Sequence, residues 1–185
     1  MDLIDLRNSP DGEFHYIAHV MDHFSKYHIL FPTKTKEADE VATLFRERVL
    51  AYFGAPAIFH SDNGHEFCNQ VLTKLIKSWS CNVTFVHGRP RHSQSQGLVE
   101  RGNRVVEEKI AKMKTEKGLQ DHVPWASWLL EIMYSLNTEK HAMTQDLPYR
   151  VVFGRVPPNQ MLPMSQSTII GEGDLWLTEE KEYPS

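Results

Sequence analysis

Four carboxylates in this chain could take part in metal-assisted phosphoryl transfer. Asp2 and Asp5 lie in a short apolar run at the start of the sequence, Asp62 follows the apolar run AIFH, and Glu100 lies near the start of a long helical pattern. Many nucleases use two or three carboxylates to hold a pair of divalent ions about 3.5–4 Å apart. Mg²⁺ prefers oxygen ligands and keeps several waters, so a few carboxylates suffice. These acids predict a two-metal site if the fold brings them together.

Each acid also has a purely structural interpretation. An aspartate before Asn63-Gly64 is typical of a turn or a helix N-cap, and a glutamate near a helix start often compensates the helix dipole. An aspartate within a strand is less easily explained in this way, because strands are depleted in aspartate. The residue types alone therefore leave both interpretations open.

The charge of the chain is unevenly distributed. The 185 residues carry a formal net charge of −4, which equals the balance of residues 166–185, where five acids face one lysine. Residues 87–118 hold eight basic and four acidic residues. A basic stripe of this kind is either a solvated helix face or a phosphate-binding surface. Residues 159–185, acidic and poor in apolar periodicity, are predicted to be a poorly ordered tail after one domain over residues 1–158.

The periodicity of apolar residues predicts an α/β domain. Short runs rich in β-branched and aromatic residues indicate strands, and apolar residues at three- and four-residue steps indicate helices. Between them, the polar stretch at 87–96 predicts a mobile loop. Their order favours a mixed sheet with helices on its faces. The expected strands are 2–6, 14–22, 26–31, 57–60 and 82–86, and the expected helices are 36–52, 65–79, 96–117 and 122–137.

The histidines and tryptophans are assigned mainly to structure. His15, His19 and His23 recur every fourth residue, but on a strand this spacing does not let them converge on a metal ion. They are predicted to be surface or core histidines with satisfied hydrogen bonds. Trp125 and Trp128 are expected in the core or in a dimer interface.

Several sequence blocks together resemble the catalytic core of retroviral and Ty3/Gypsy-type retrotransposon integrases. The strongest are HSDNGHEF and SQSQGLVERGNR, which contain Asp62 and Glu100 with 37 residues between them. The blocks DHFSKY, GAP, RPRH, NTEKH and PYRVVFGRVP follow in the family's order. The resemblance covers roughly residues 1–158. The chain also resembles retrotransposon-derived integrase-like sequences that a host has domesticated.

The resemblance implies an α/β, RNase H-like fold with a mixed five-stranded sheet flanked by helices. It implies a polynucleotidyl transferase site in which Asp2, Asp62 and Glu100 bind two Mg²⁺ or Mn²⁺ ions, with Asp5 as the alternative first acid. DNA is the implied partner, with a homodimer through the core as a further expectation. The implied location is nuclear or intracellular, with no membrane segment. The implied nucleic-acid-binding residues are Arg89, Arg91, Gln96, Arg104 and Lys109, whereas Asn103 could face phosphate or be structural.

Two functions of different classes remain open. The first is an active integrase-type enzyme core. The second is a catalytically idle nucleic-acid-binding or protein-interaction module that retains the three acids. The acids favour the first, whereas nothing within the 185 residues resembles the zinc-binding or the small C-terminal domain of complete integrases, which favours the second. A nuclease for RNA–DNA hybrids is disfavoured by the pairing of the DNG and SQSQGLVE blocks.

Overall fold

The computed structural model describes residues 1–61, 70–79, 82–87, 93–119 and 122–157, which begin with three strands, continue with helices interspersed with two more strands and end with helices. The described strands are β1 (Asp2–Asp5), β2 (Tyr16–Met21), β3 (His28–Thr33), β4 (Ile58–Ser61) and β5 (Thr84–His87). The described helices are α1 (Ala38–Phe45), α2 (Ala51–Phe53), α3 (Gln70–Trp79), α4 (Ser93–Glu116), α5 (Trp125–Thr138) and α6 (Pro148–Phe153). A π-helical turn, Arg46–Leu50, joins α1 to α2.

The strands form an antiparallel group and a parallel pair. β1, β2 and β3 pair in that order, with Asp2 opposite His19, and β4 pairs with β5 in parallel. The Met1 backbone nitrogen donates a hydrogen bond to the His60 carbonyl at 2.8 Å, so β4 lies beside the start of β1. The five expected strands are present in mixed directions, while one continuous sheet of five stays a prediction.

Alternation along the first three strands creates two apolar cores, one on each face. Ala18 and Phe31 belong to the core that α1 and α3 complete, whereas Ile17 and Leu30 belong to the core that α4 and α5 complete. Neighbouring residues of a strand point to opposite faces, so adjacent pairs such as Ile17 and Ala18 are both fully buried. Two helical layers therefore enclose this group of strands, as the α/β pattern predicts.

The helix boundaries differ from the sequence expectation at several places, among them the helix expected from residue 122, which begins at Trp125. The first expected helix, 36–52, is interrupted by the π-helical turn but ends as predicted at Gly54, whose φ is +73°. The helix expected from residue 96 begins at Ser93, so the last residues of the expected polar loop belong to α4. The short helix α6 was not predicted, although Pro148 at its first turn and the left-handed Gly154 after it are typical start and stop signals.

Several predictions fall outside the described residues. They concern Asp62, Arg89, Arg91 and the tail, so the division at residue 158 stays a prediction. Within the described ranges, no helix combines the length and the apolar character needed to cross a bilayer.

The side-chain amide of Asn137, on α5, forms two hydrogen bonds with the backbone of His28, the first residue of β3. Its Nδ2 donates to the His28 carbonyl at 2.8 Å, and its Oδ1 accepts from the His28 backbone N–H at 2.7 Å. Both residues are buried, so this side chain satisfies the two backbone groups as a neighbouring strand would.

Replacing this amide tests the anchor. We expect Asn137→Leu to lower the free energy of unfolding by about 2–4 kcal/mol, because two buried backbone groups lose their partners. Urea denaturation followed by circular dichroism measures the change. The matched control is Glu131→Gln on the exposed face of the same helix, which should change stability by less than about 0.5 kcal/mol. Equal effects of the two substitutions would contradict the anchoring role.

Candidate active site

Asp2 lies on β1 and is hydrogen-bonded to helix α4. Its Oδ2 accepts from Asn103 Nδ2 at 2.5 Å, and its Oδ1 accepts from the Leu3 backbone N–H at 2.9 Å. The side chain is half-buried. A carboxylate oxygen has two lone pairs, so each oxygen keeps acceptor capacity after these bonds. The chemistry of Asp2 therefore fits a hard divalent ion such as Mg²⁺ or Mn²⁺.

Asp5, the alternative first acid, has a different environment. It lies three residues along the strand and forms hydrogen bonds with Arg7, from Nε at 3.0 Å and from Nη2 at 2.6 Å. These hydrogen bonds from Arg7 lower the pKa of the exposed Asp5 carboxyl. Residues three apart on a strand point to opposite faces, so Asp5 does not share the α4 side with Asp2.

Helix α4 approaches β2 closely at Gly102. A Cβ atom built on this glycine would lie 2.9 Å from Cε1 of the His19 ring, a separation that real Cβ contacts do not show. The next residue, Asn103, has its Oδ1 2.8 Å from His19 Nδ1, while its Nδ2 donates to Asp2 Oδ2. Because an amide oxygen only accepts, His19 Nδ1 is the donor of that bond. The Gly-Asn pair thus sets both the distance and the register of α4 on the strands.

His19 and His28 form a buried, stacked pair between β2 and β3. The His19 Nε2 and His28 Nδ1 atoms are 2.9 Å apart, and the ring centroids are 5.1 Å apart. Burial lowers the pKa of His19 to about 4, although the hydrogen bond with Asn103 opposes this effect. Burial, together with His19, lowers the pKa of His28 to about 3. His19 is therefore a core histidine with both ring nitrogens satisfied, as expected.

The backbone brings the neighbours of the other two acids towards Asp2. Glu100 belongs to α4 three residues before Asn103, which is about 4.5 Å along the helix axis and on a similar face. Asp62 directly follows Ser61 in the sequence, and Ser61 is the last residue of β4. The preceding residue, His60, lies beside the start of β1. The Asp62 residue and the Glu100 side chain lie outside the described part of the chain. Within that part, no three metal-ligating side chains form a group.

The described basic residues differ in how far their charge is compensated. Arg104 is 78% exposed and forms an ion pair with Glu108 at 2.8 Å. Lys109 is 23% exposed and donates to Ser135 at 2.8 Å and to Glu139 at 2.7 Å. Ion pairs at an exposed surface are weak, so the Arg104 guanidinium can exchange Glu108 for a phosphate at little cost. Arg89, Arg91 and the Gln96 side chain lie outside the described residues.

A match to a protein-family model shows the family to which the chain belongs. Residues 1–93 match the model described as integrase core domain. The chain belongs to the integrase core domain family. The described residues include the strand that carries Asp2 and the helix that carries Glu100, while the catalytic roles of these acids stay predictions.

The similar proteins include a host protein and viral polyproteins. The integrase core is 32% identical over 154 residues to human KRAB-A domain-containing protein 2, covering 83% of this chain and 30% of that protein. It is 35% identical over 149 residues to the Gag-Pol polyprotein of woolly monkey sarcoma virus, covering 77% of this chain and 8% of the polyprotein. The chain therefore spans less than a third of the length of these relatives.

Solved structures share the fold of this integrase core. A chain of the simian T-cell lymphotropic virus intasome in complex with PP2A regulatory subunit B56 gamma matches with a TM-score of 0.67 and 19% identity, over 84% of this chain and 53% of that one. The catalytic core domain of BIV integrase matches with a TM-score of 0.58 and 23% identity, over 81% and 90% of the two chains. Both likenesses indicate an α/β, RNase H-like fold.

The sequence alone did not predict how the residues around Asp2 contact one another. The Asn103 side chain is bonded to Asp2 and His19, a contact that the sequence did not predict, while Gly102, His28 and Asn137 had no assigned role. A glycine inside a long helical pattern was the available signal, because it costs helix stability unless a close approach requires it. The partner across that contact, His19, could not be named from the helix alone.

Adding a methyl group at the close approach tests the packing of α4. We expect Gly102→Ala to destabilise the protein by about 1–3 kcal/mol through overpacking against His19. In a helix with open space the same change stabilises by up to about 1 kcal/mol. In the His19→Ala background, where the ring is absent, Gly102→Ala should therefore raise the free energy of unfolding instead of lowering it. Thermal and urea unfolding of the four proteins of this cycle measure the coupling, and additive effects would contradict the contact.

The buried histidines make stability depend on pH. Their folded-state pKa values lie below the ordinary 6.5, so between pH 6.5 and about 4 the unfolded chain binds protons that the folded protein excludes. The contribution of the two neutral histidines to the free energy of unfolding is fully present above pH 6.5. It should fall as the pH decreases, by up to about 1.4 kcal/mol per pH unit for each histidine.

Urea unfolding at half-unit steps from pH 7 to pH 5 measures this slope. We expect His28→Leu to reduce it, whereas His23→Gln, a change at an exposed histidine of the β2–β3 turn, should leave it unchanged. A slope that is the same in all three proteins would show that the pair contributes nothing to it.

Proposed function

We propose that this domain is a metal-dependent polynucleotidyl transferase core that acts on DNA in integration-type reactions. In this proposal Asp2, Asp62 and Glu100 are the catalytic and metal-binding acids, with Asp2 rather than Asp5 as the first. The reactions are 3′-end processing, in which water attacks the phosphodiester, and strand transfer, in which a DNA 3′-hydroxyl attacks it. Membership of the integrase core domain family supports this reaction class.

The single observation that carries the proposal is the hydrogen bond between Asp2 and Asn103. It joins the strand that bears the first acid to the helix that bears Glu100, one turn away. The Met1–His60 bond adds the strand whose end precedes Asp62. Three chain segments that are distant in sequence, each next to one of the acids, are therefore adjacent at one corner of the fold. Asp5, by contrast, is occupied by Arg7.

The three acids would hold Mg²⁺ or Mn²⁺. When bound, such ions activate the attacking hydroxyl and stabilise the leaving oxygen of the phosphodiester. The protein's own contribution is to supply carboxylate oxygens and to orient them. Asp2 fits this role because each of its oxygens accepts one described hydrogen bond and retains further acceptor capacity.

Phosphate binding is proposed for the basic loop and helix. Arg89, Arg91, Gln96, Arg104 and Lys109 would contact the DNA backbone, a contact that does not depend on base sequence and weakens with salt. The exposed Arg104 is the described residue best suited to this role. Lys109 would first have to release Ser135 or Glu139, so we assign it a smaller share of the affinity.

Further proposals concern the biological setting. Similarity to both a human protein and a retroviral Gag-Pol polyprotein supports an origin by domestication of a retrotransposon, and a nuclear or intracellular location is part of this proposal. A homodimer is supported by Leu130 and Tyr134, two exposed apolar residues one turn apart on α5. Trp125 and Trp128 are buried and belong to the core instead.

The second candidate function is a nucleic-acid-binding or protein-interaction module without turnover. The compensated charge of Lys109 favours it, since one of the proposed phosphate contacts already serves to hold α4 against α5. The two candidates make different predictions for a variant that lacks one acid.

Glu100→Gln separates these candidates. We expect it to reduce Mn²⁺-dependent cleavage or strand transfer on a DNA substrate with a recessed end by at least about 100-fold, because a metal-binding carboxylate is lost. Asp62→Asn should have the same effect. Denaturing gel electrophoresis of labelled DNA measures both products. DNA binding, measured by fluorescence anisotropy, should change little.

The matched control for this experiment is Glu116→Gln in the last turn of the same helix, where the carboxylate pairs with Lys112 in solvent. It should retain full activity. Activity that survives Glu100→Gln would refute the assignment of this acid. Binding without any acid-dependent turnover in the wild-type protein would establish the module instead of the enzyme.

A further inference from the structure

A continuous chain of side-chain hydrogen bonds runs from Asp2 into the interior of the protein. Asn103 Nδ2 lies 2.5 Å from Asp2 Oδ2, Asn103 Oδ1 lies 2.8 Å from His19 Nδ1, and His19 Nε2 lies 2.9 Å from His28 Nδ1. The two histidines are 2% and 5% exposed. At the far end, Asn137 holds the backbone of His28 on both sides.

The chemistry of its ends fixes the direction of every bond in this chain. A carboxylate only accepts, so the Asn103 NH₂ group must face Asp2 and its oxygen must face His19. His19 Nδ1 must then carry a proton. Burial keeps His19 neutral, so its Nε2 is an acceptor and His28 Nδ1 must be protonated in turn. All three bonds therefore donate towards Asp2.

This direction cannot be reversed at a single member. Turning the Asn103 amide over would place its oxygen against the Asp2 carboxylate and its NH₂ group against the protonated nitrogen of His19. Two acceptors would face each other at one contact and two donors at the next. In a buried site, each such mismatch costs as much as an unpaired polar group. The histidine pair therefore holds the amide in the orientation in which it donates to Asp2.

We propose that Asn103 and His19 are positioning residues for the carboxylate of Asp2, and that His28 sets the tautomer of His19 from behind. The proposal rests on the proposed function, because it assumes that Asp2 binds the divalent ion. Neither Asn103 nor His19 would touch the ion or the DNA. Their task is to fix one oxygen of Asp2 so that the remaining lone pairs face the corner where Asp62 and Glu100 are proposed to act.

The described hydrogen bonds of Asp2 show what Asn103 and His19 contribute. Asp2 is the first residue of its strand, and its other described partner is the adjacent Leu3 N–H, which does not connect it to the helix. Among the described residues, only the bond from Asn103 ties the carboxylate to the element that bears Glu100. Hydrogen bonds that point the same way along a chain polarise one another, so the donor next to Asp2 is strengthened by the two behind it.

The first test is the tautomeric state of the two histidines in the wild-type protein. Long-range ¹H–¹⁵N spectra of ¹⁵N-histidine-labelled protein at pH 7 should show both rings neutral and protonated at Nδ1. Protonation of His19 at Nε2 would overturn the proposal, since Asn103 would then have to donate to His19. This readout requires neither turnover nor a variant that folds.

The second test is the affinity for Mn²⁺, measured by titration calorimetry. We expect Asn103→Leu and His19→Leu to weaken it about 10- to 100-fold, the usual range for residues that orient a metal ligand. His19→Asn, whose Nδ2 can replace the Nδ1 donor, should recover most of the loss. Affinities of the two leucine variants equal to wild type would overturn the proposal.

The control for this series is Glu116→Gln, which should bind Mn²⁺ as the wild type does. Thermal unfolding of each variant separates loss of positioning from loss of folding. His19→Leu and His19→Asn remove the same ring, so a purely structural role would affect both equally and would contradict the proposal. If the tautomers and affinities are as expected but Glu100→Gln leaves turnover intact, the proposed function fails while the positioning of Asp2 stands.

Discussion

The contact between helix α4 and strand β2 is the constraint on which the rest of this structure depends. It combines a close approach, which requires a glycine at position 102, with a bridging amide at position 103. The helix cannot move away without breaking the bonds to Asp2 and His19, and it cannot come closer because the His19 ring is already in contact. The core that α4 and α5 complete on this face of the strands is packed at the spacing that this contact sets.

Polar groups inside such a contact destabilise the protein unless every donor meets an acceptor. The protein meets this requirement with neutral groups throughout, because burial lowers the pKa of both histidines far below physiological pH. In the described residues, no buried side-chain nitrogen or oxygen lacks a partner. A neutral, fully satisfied network avoids the desolvation cost of buried charges and still fixes one orientation. The carboxylate at its outer end is thereby oriented by the interior of the protein rather than by solvent.

Two of the basic residues on the described part of α4, Arg104 and Lys109, contribute in different ways. Arg104 projects into solvent beside Glu108, whereas Lys109 links α4 to α5 through Ser135 and Glu139. A formal charge count treats them as equal. Lys109 was predicted from the sequence as a phosphate contact, and its partners give it a structural task as well. The exposed fraction of a side chain, which depends on the neighbouring helix, separates these roles.

Periodicity alone determined the α/β order of elements, since burial on one face forces apolar residues to repeat every two or about 3.6 positions. The spacing of Asp62 and Glu100 and the blocks around them determined the family. Boundaries at Ser93, the π-helical turn and helix α6 were not predicted, because they depend on local backbone geometry that tolerates many sequences. Only the tertiary structure decided what Gly102, Asn103 and His19 do. The two hydrogen-bond partners of Asn103 are 84 and 101 residues away along the chain, and no local pattern records which residue will lie across a contact.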